Sequence, residues 1–254
     1  VFNPVGGFHH AGPGNAEGFC YVNDVVLACL ELADAGRRVA CVDLDAHHGN
    51  GTEEALLADP RVLAISTHQD GRTLYPWGGA ETVTGEGAGR GYNVNAPLPP
   101  GCDDQAFARV LERVVMPAVE AFAPDVILFE IGMDVLAGDP LTGLAMTNNA
   151  LADAAARVRD LDVPTLVLGG GGYDPPRTAR GWALAWSVLG GEEGEDEHLG
   201  AVGGVLLGDV GRSGVGSLRE MRRFASGEDR TRIDAEIDRV VAFHEQHTLP
   251  RLGG

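Results

Sequence analysis

Apolar residues along this chain fall into two rhythms. Short, nearly unbroken apolar runs predict strands over Val39–Leu44, Val62–Thr67, Asp125–Ile131 and Thr165–Leu168. Continuous apolarity of this kind suits strands of a parallel sheet covered on both faces. Between these runs the spacing turns helical. Asn23–Ala35 carries Val26, Leu27, Leu30 and Ala33 on one side and meets Gly36, a residue suited to the turn that ends a helix. Asp104–Phe122 reads as an amphipathic helix through Phe107, Val110, Leu111, Val114 and Val115, interrupted at Pro117. Thr147–Leu161 and Pro176–Leu189 are predicted helices, the second with proline in its first turn. Ser226–His247 reads as a helix of weaker amphipathicity, and glycine-rich Gly190–Gly216 as irregular chain. Strand and helix alternate, which predicts an α/β protein with three layers, α/β/α, and a mostly parallel sheet. With 254 residues and no internal repeat, 1–254 is expected to form one domain.

Composition narrows the setting. The net charge is -18, and every one of the 19 basic residues is arginine. Such a surface repels nucleic acid and favours a cationic ligand, although an acidic surface serves solubility before function. Glu192-Glu-Gly-Glu-Asp-Glu197 is expected to be an exposed acidic loop. No apolar run reaches the roughly eighteen residues of a membrane span, and no secretory leader is expected from the opening residues. Cys20, Cys29, Cys41 and Cys102 lack metal-binding or redox spacing, so free, mostly buried thiols are expected. Together these features predict a cytoplasmic protein with no membrane partner; the oligomeric state is left open.

The densest candidate chemistry is Asp43-Leu-Asp45-Ala-His47-His48-Gly-Asn50, directly after an apolar strand. Ligands of α/β sheets gather at the carboxyl ends of strands. Asp45 and His47 are two apart, so an extended segment points both the same way. They make two-thirds of a three-ligand catalytic metal site. Asp134, beyond another apolar run, offers the third ligand. His9-His10 lies in a glycine-rich loop, and Tyr173 follows a third run and Gly169–Gly172. Each feature alone has a bland alternative: a capped strand end, a surface histidine pair or a turn needed only for its geometry. Their joint occurrence at four strand ends favours a catalytic centre.

These segments carry a resemblance. Gly6-Gly-Phe-His-His-Ala11, Gly18-Phe-Cys-Tyr-Val-Asn-Asp24, Asp43–Gly51, Ile65-Ser-Thr-His68, Gly91-Tyr-Asn-Val-Asn95, Gly132-Met-Asp134, Gly138-Asp-Pro-Leu141 and Leu168–Tyr173 resemble, in order, the motifs of the zinc-dependent histone deacetylase superfamily. Within it, the bacterial acetoin-utilisation type is the nearest pattern. The resemblance covers the chain to about Leu189 and implies an arginase/deacetylase-like fold. Relatives carry a further segment ahead of the His9 loop, so the chain is expected to lack its amino-terminal part.

The resemblance implies that Asp45, His47 and Asp134 hold one divalent ion, Zn²⁺ or alternatively Fe²⁺ or another divalent metal. His10 would be the general base, with His9 beside it, and Tyr173 the oxyanion donor. Asp43 would orient His9, and Asn50 would orient His10. Many relatives have Asp at the latter position; an amide cannot stabilise imidazolium by charge, so His10 should be less basic. Gly18, Phe19, Tyr75 and Leu141 would line the acyl channel, with Tyr75 standing where Phe is usual. A structural K⁺ is implied at Asp43, Asp45, His47, Ser66 and Thr67. The implied reaction is removal of acetyl from acetyl-lysine in a protein, or from a small acetylated amine such as an acetylpolyamine. Two other readings compete. An arginase-type ureohydrolase needs two metals, and the carboxylate two residues beyond His47 is lacking. A metal-binding interaction module without activity is the other.

Overall fold

The computed structural model describes residues 1–192 and 218–252. Six strands form one sheet: β1 Phe2–Asn3, β2 Val39–Asp43, β3 Val62–Gln69, β4 Asn93–Leu98, β5 Val126–Glu130 and β6 Thr165–Leu168, in the order β1-β6-β5-β2-β3-β4. Every pairing between these strands is parallel. Asp43 therefore stands in register with Ser66 on one side and Glu130 on the other.

Alternate strand residues feed two cores. Ala40, Val42, Leu63, Ile65, Ile127 and Phe129 face the larger one, under helices α3 Asp104–Val110, α4 Met116–Phe122, α5 Asn148–Arg159, α6 Pro175–Leu189 and α7 Gly227–His247. Val39, Cys41, Val62, Ala64 and Leu128 face the smaller one, under α1 Asp24–Asp34 and α2 Asn50–Leu56. This period-two partition produces the three layers. A last short helix, α8 Leu249–Leu252, seats Leu252 against the larger core.

The predicted strands and helices are present, with ends shifted by one or two residues. Gly36 has φ +80° and follows α1, while the Arg37 amide closes on the Leu32 carbonyl 3.0 Å away, as the helix-ending motif requires. One expectation is corrected at Pro117. The helix does not break there. A π turn over Leu111–Val115 joins α3 to α4, with the Met116 amide bonding to the Leu111 carbonyl. The widened turn accommodates the prolyl ring, which cannot donate and crowds the preceding turn. Leu111, Val114 and Val115 stay buried throughout.

Three elements had no apolar signature. β1 is two residues long, α2 only seven, and β4 has buried Asn93 and Asn95 where apolar residues would be expected. β4 lies at the sheet edge, where its Pro97 is tolerated. Most of Gly190–Gly216 and of the acidic run lies outside the described residues. All four cysteines are free and buried. No helix among the described residues is long and apolar enough to cross a membrane.

Candidate metal centre

The loop after β2 turns its polar groups inward by bonding to itself. Asp43 Oδ1 accepts the Asp45 amide at 3.0 Å, and Asp45 Oδ1 accepts the His47 amide at 2.8 Å. These two-residue bonds orient both side chains toward Asp134, which enters from the short helical turn Met133–Val135 after β5. Asp134 Oδ1 accepts the Ala46 amide at 3.0 Å, and its Oδ2 lies 2.9 Å from His47 Nδ1. Asp45 Oδ1 lies 3.3 Å from the same nitrogen. The donor atoms of Asp45, His47 and Asp134 all fall within 4.8 Å of one another, and all three residues are buried.

The glycines around this cluster are required by contact. A Cβ at Gly132 would strike the Asp45 carboxylate, and one at Gly171 the Asp134 carboxylate. The bare Gly171 amide instead donates to Asp45 Oδ2 at 2.6 Å.

The electrostatics suit a cation. Burial opposes charge on His47, but hydrogen bonds with Asp134 and Asp45 push the imidazole up to about 10. Burial, reinforced by the Asp45 charge, pushes Asp134 up to about 7. The cluster thus retains a proton where the opposed carboxylates need positive charge. A divalent ion would supply that charge and displace the proton.

The His9 loop is fastened from α1. Asp24 accepts the Gly7 and Phe8 amides, and the Asn23 side chain donates to the His9 and Ala11 carbonyls. His9 and His10 rings lie 4.2 Å apart. His9 Nδ1 is 2.8 Å from Asp43, and His10 Nδ1 is 2.8 Å from Asn50 Oδ1, the two partners expected. Burial would lower His9, yet Glu130, Asp43 and Asp45 together raise it well above the ordinary range. Burial and the neighbouring His9 push His10 down to about 4.

His9, His10, Gly18, Phe19, Asp45, His47 and Tyr173 line one cavity of about 260 Å³. The Tyr173 ring is 6.3 Å from that of His47, and its amide donates to Asp139 at 2.9 Å. Burial and the Asp45 and Asp134 charges raise the phenol, which keeps it protonated. Of the other channel candidates, Tyr75 packs 5.3 Å from the His10 ring, and Leu141 is partly exposed beside Asp139; neither lines this cavity. Ser66, on the strand beside Asp43, bonds His68 at 2.9 Å. Thr67 is buried next to it.

Two neighbours escaped the sequence reading. Glu130 ends β5 fully buried, 3.4 Å from His9 Nδ1, with neither carboxylate oxygen hydrogen-bonded. Burial and the Asp43 charge raise its pKa well above the usual range. Its signal was a lone charge inside an apolar strand. Glu17 approaches Asn50 and Tyr75, and no spacing announced it.

A three-layer α/β/α fold whose parallel sheet gathers carboxylates and imidazoles at its strand ends into buried groups able to hold a cation has the architecture of the arginase and deacetylase enzymes. The comparisons narrow this. Residues 1–189 match the histone deacetylase domain. Histone deacetylase 8 of Xenopus tropicalis is 38% identical over 191 residues, 75% of this chain and 52% of that protein. Histone deacetylase 19 of Arabidopsis thaliana is 40% identical over 197 residues, 78% of this chain and 39% of that one. The crystal structure of a histone deacetylase homolog from Aquifex aeolicus superposes with a TM-score of 0.82 at 34% identity, covering 94% of this chain and 67% of that one. The chain belongs to the histone deacetylase family. It spans about half the length, or less, of these curated relatives.

Proposed function

We propose that this chain is the catalytic domain, 1–254, of a cytoplasmic zinc-dependent amidohydrolase that removes acetyl from acetyl-lysine in proteins. The observation that carries the reading is the cluster of Asp45, His47 and Asp134, of which Asp45 and His47 line one cavity with His9, His10 and Tyr173. Two oxygen donors and one nitrogen suit Zn²⁺, and also Fe²⁺. A divalent ion held there supplies Lewis acidity toward the amide carbonyl and acidifies water.

The protein's own groups do the rest. His10, kept neutral, takes a proton from the attacking water and later delivers it to the leaving amine. His9, held toward its charged form by Asp43 and Glu130, balances the negative charge that develops. The Tyr173 hydroxyl donates to the oxyanion as the carbonyl carbon becomes tetrahedral. Gly18 and Phe19 form one wall of the acyl channel, with Tyr75 and Leu141 toward its rim. K⁺ at Asp43, Ser66 and the backbone of Asp45, His47 and Thr67 would brace the strand ends. The net charge of -18 steers a lysine-rich segment inward and repels nucleic acid.

The test is a hydrolysis screen of the zinc-loaded protein with acetyl-lysine peptides and acetylated polyamines. Turnover of the peptides supports the reading. Turnover of polyamines alone moves the substrate to small amines. Turnover of neither contradicts it.

A further inference from the structure

His10 can act as a base only if its proton sits on the nitrogen away from the reacting water. Its Nδ1 faces the Asn50 amide, and an amide can present either an acceptor oxygen or a donor NH₂ group. With oxygen toward the ring, Nδ1 carries the proton and Nε2 keeps its lone pair. With NH₂ toward the ring, Nδ1 accepts, and Nε2 becomes a donor useless as a base. A carboxylate at this position would present oxygen either way round. An asparagine needs something to decide its orientation.

Glu17 stands where that decision is made. Its Oε1 lies 2.5 Å from Asn50 Nδ2, on the side of the amide away from His10. An ionised carboxylate only accepts, so the group facing Glu17 must be NH₂ and the group facing His10 must be oxygen. The same Oε1 accepts the Tyr75 hydroxyl at 3.0 Å, and Oε2 accepts Asn15 Nδ2 at 3.1 Å. Glu17 is itself fixed by a tight turn in which its carbonyl accepts the Cys20 amide at 2.8 Å. The chain Glu17–Asn50–His10 thus runs from the pocket rim to the proposed base through two hydrogen bonds.

We propose that Glu17 is a positioning residue that locks the Asn50 amide and thereby holds His10 in its Nδ1-protonated tautomer. It touches neither substrate nor metal. This deepens the amidohydrolase reading and rests on it for the catalytic consequence, while the tautomer itself can be seen without turnover. Its tie to Tyr75 adds that the ring packed against His10 and the base's partner share one anchor.

The experiment uses the full zinc-loaded chain with Glu17→Ala, Glu17→Gln, Asn50→Asp and the Glu17→Ala/Asn50→Asp double variant. Nitrogen-15 imidazole spectra report the His10 tautomer. The native protein should show Nδ1–H alone, and Glu17→Gln, itself an amide able to turn either group toward Asn50, a mixture. Glu17→Ala should show a mixture of tautomers. On an acetyl-lysine peptide, Glu17→Ala should lower kcat about tenfold, part of the roughly 10²–10⁴-fold that a positioned base contributes, with KM nearly unchanged. With Asp at position 50 there is no amide to orient, so adding Glu17→Ala should cost nothing further. A simple structural tether would cost the same in both backgrounds, and that outcome overturns the proposal. So does a pure Nδ1–H tautomer in Glu17→Ala. If the native enzyme hydrolyses no acetylated amine, the functional reading fails, and the spectra still decide the role of Glu17.

Discussion

Two histidine pairs are buried side by side in this fold. His9 and His10 pack with ring centres 4.2 Å apart, and His48 and His68 with centres 4.7 Å apart. Burial and a histidine neighbour depress one member of each, His10 to about 4 and His68 to about 3. By burial, pairing and one depressed member each, the two regions look alike. They differ in where the nitrogens go. His68 has both occupied, Nδ1 by Ser66 and Nε2 by the Gly79 carbonyl, each at 2.9 Å. His48 turns toward Glu53, which Asn93 and Asn95 also contact. That pair braces β3 against β4 and the loop that carries Tyr75. His10 ties only Nδ1 among the described residues, and it lines the cavity. A depressed pKa therefore marks no site by itself; a nitrogen left free toward an accessible space does.

This contrast can be broken by mutation. His10→Ala should leave the fold intact and retain metal, yet lower kcat by about 10²–10⁴ and alter the pH–rate profile. Activity close to the native level would show that His10 is as structural as His68. Tyr173→Phe removes one hydroxyl from the same cavity, and kcat should fall by roughly 10²–10³ while substrate binding changes little. A large rise in KM with unchanged kcat would mean that Tyr173 binds substrate and does not stabilise charge.

The other pair should respond in stability. Burial disfavours the Glu53 charge, but His48, Asn95 and Asn93 more than compensate and hold the carboxyl down to about 2. A depressed carboxyl stabilises the fold above its unfolded value, near pH 4.5, and loses that contribution as pH falls toward about 2. Glu53→Gln should remove this acid-dependent part, on the order of 3 kcal/mol at neutral pH. Urea titrations across that window check it, and the folded fraction should keep its kcat. Identical acid profiles for the two proteins would dissolve the network's role.

The same contrast explains what the sequence made legible. The strands around Val42, Ile65 and Phe129 were readable because burial on both faces demands unbroken apolar runs. Asp45, His47 and Asp134 were readable because they follow such runs, and alternation separates His47 from His48. β4 was not readable, since its inward Asn93 and Asn95 satisfy Glu53 and not a hydrophobic core. Glu130 lay hidden within an apolar strand, and Glu17 acts through contacts made 33 and 58 residues away. Contacts of that range are set by tertiary structure and leave no local periodicity.

The central claim is a single catalytic cation at Asp45, His47 and Asp134. A second buried group, His9 with Asp45 and Glu130, shares one ligand with it and could hold another ion, which would make a two-metal centre. Against that, His9 Nδ1 is committed to Asp43 at 2.8 Å, and His9 Nε2 stays 3.9 Å from Asp45. Metal content per chain, measured after zinc loading and removal of excess ion in the native protein and in Asp134→Ala, decides the matter most directly. One zinc in the native protein and none in Asp134→Ala, with acetyl-lysine hydrolysis lost alongside it, is the predicted result. Two ions per native chain, or zinc and turnover that survive Asp134→Ala, would contradict the account.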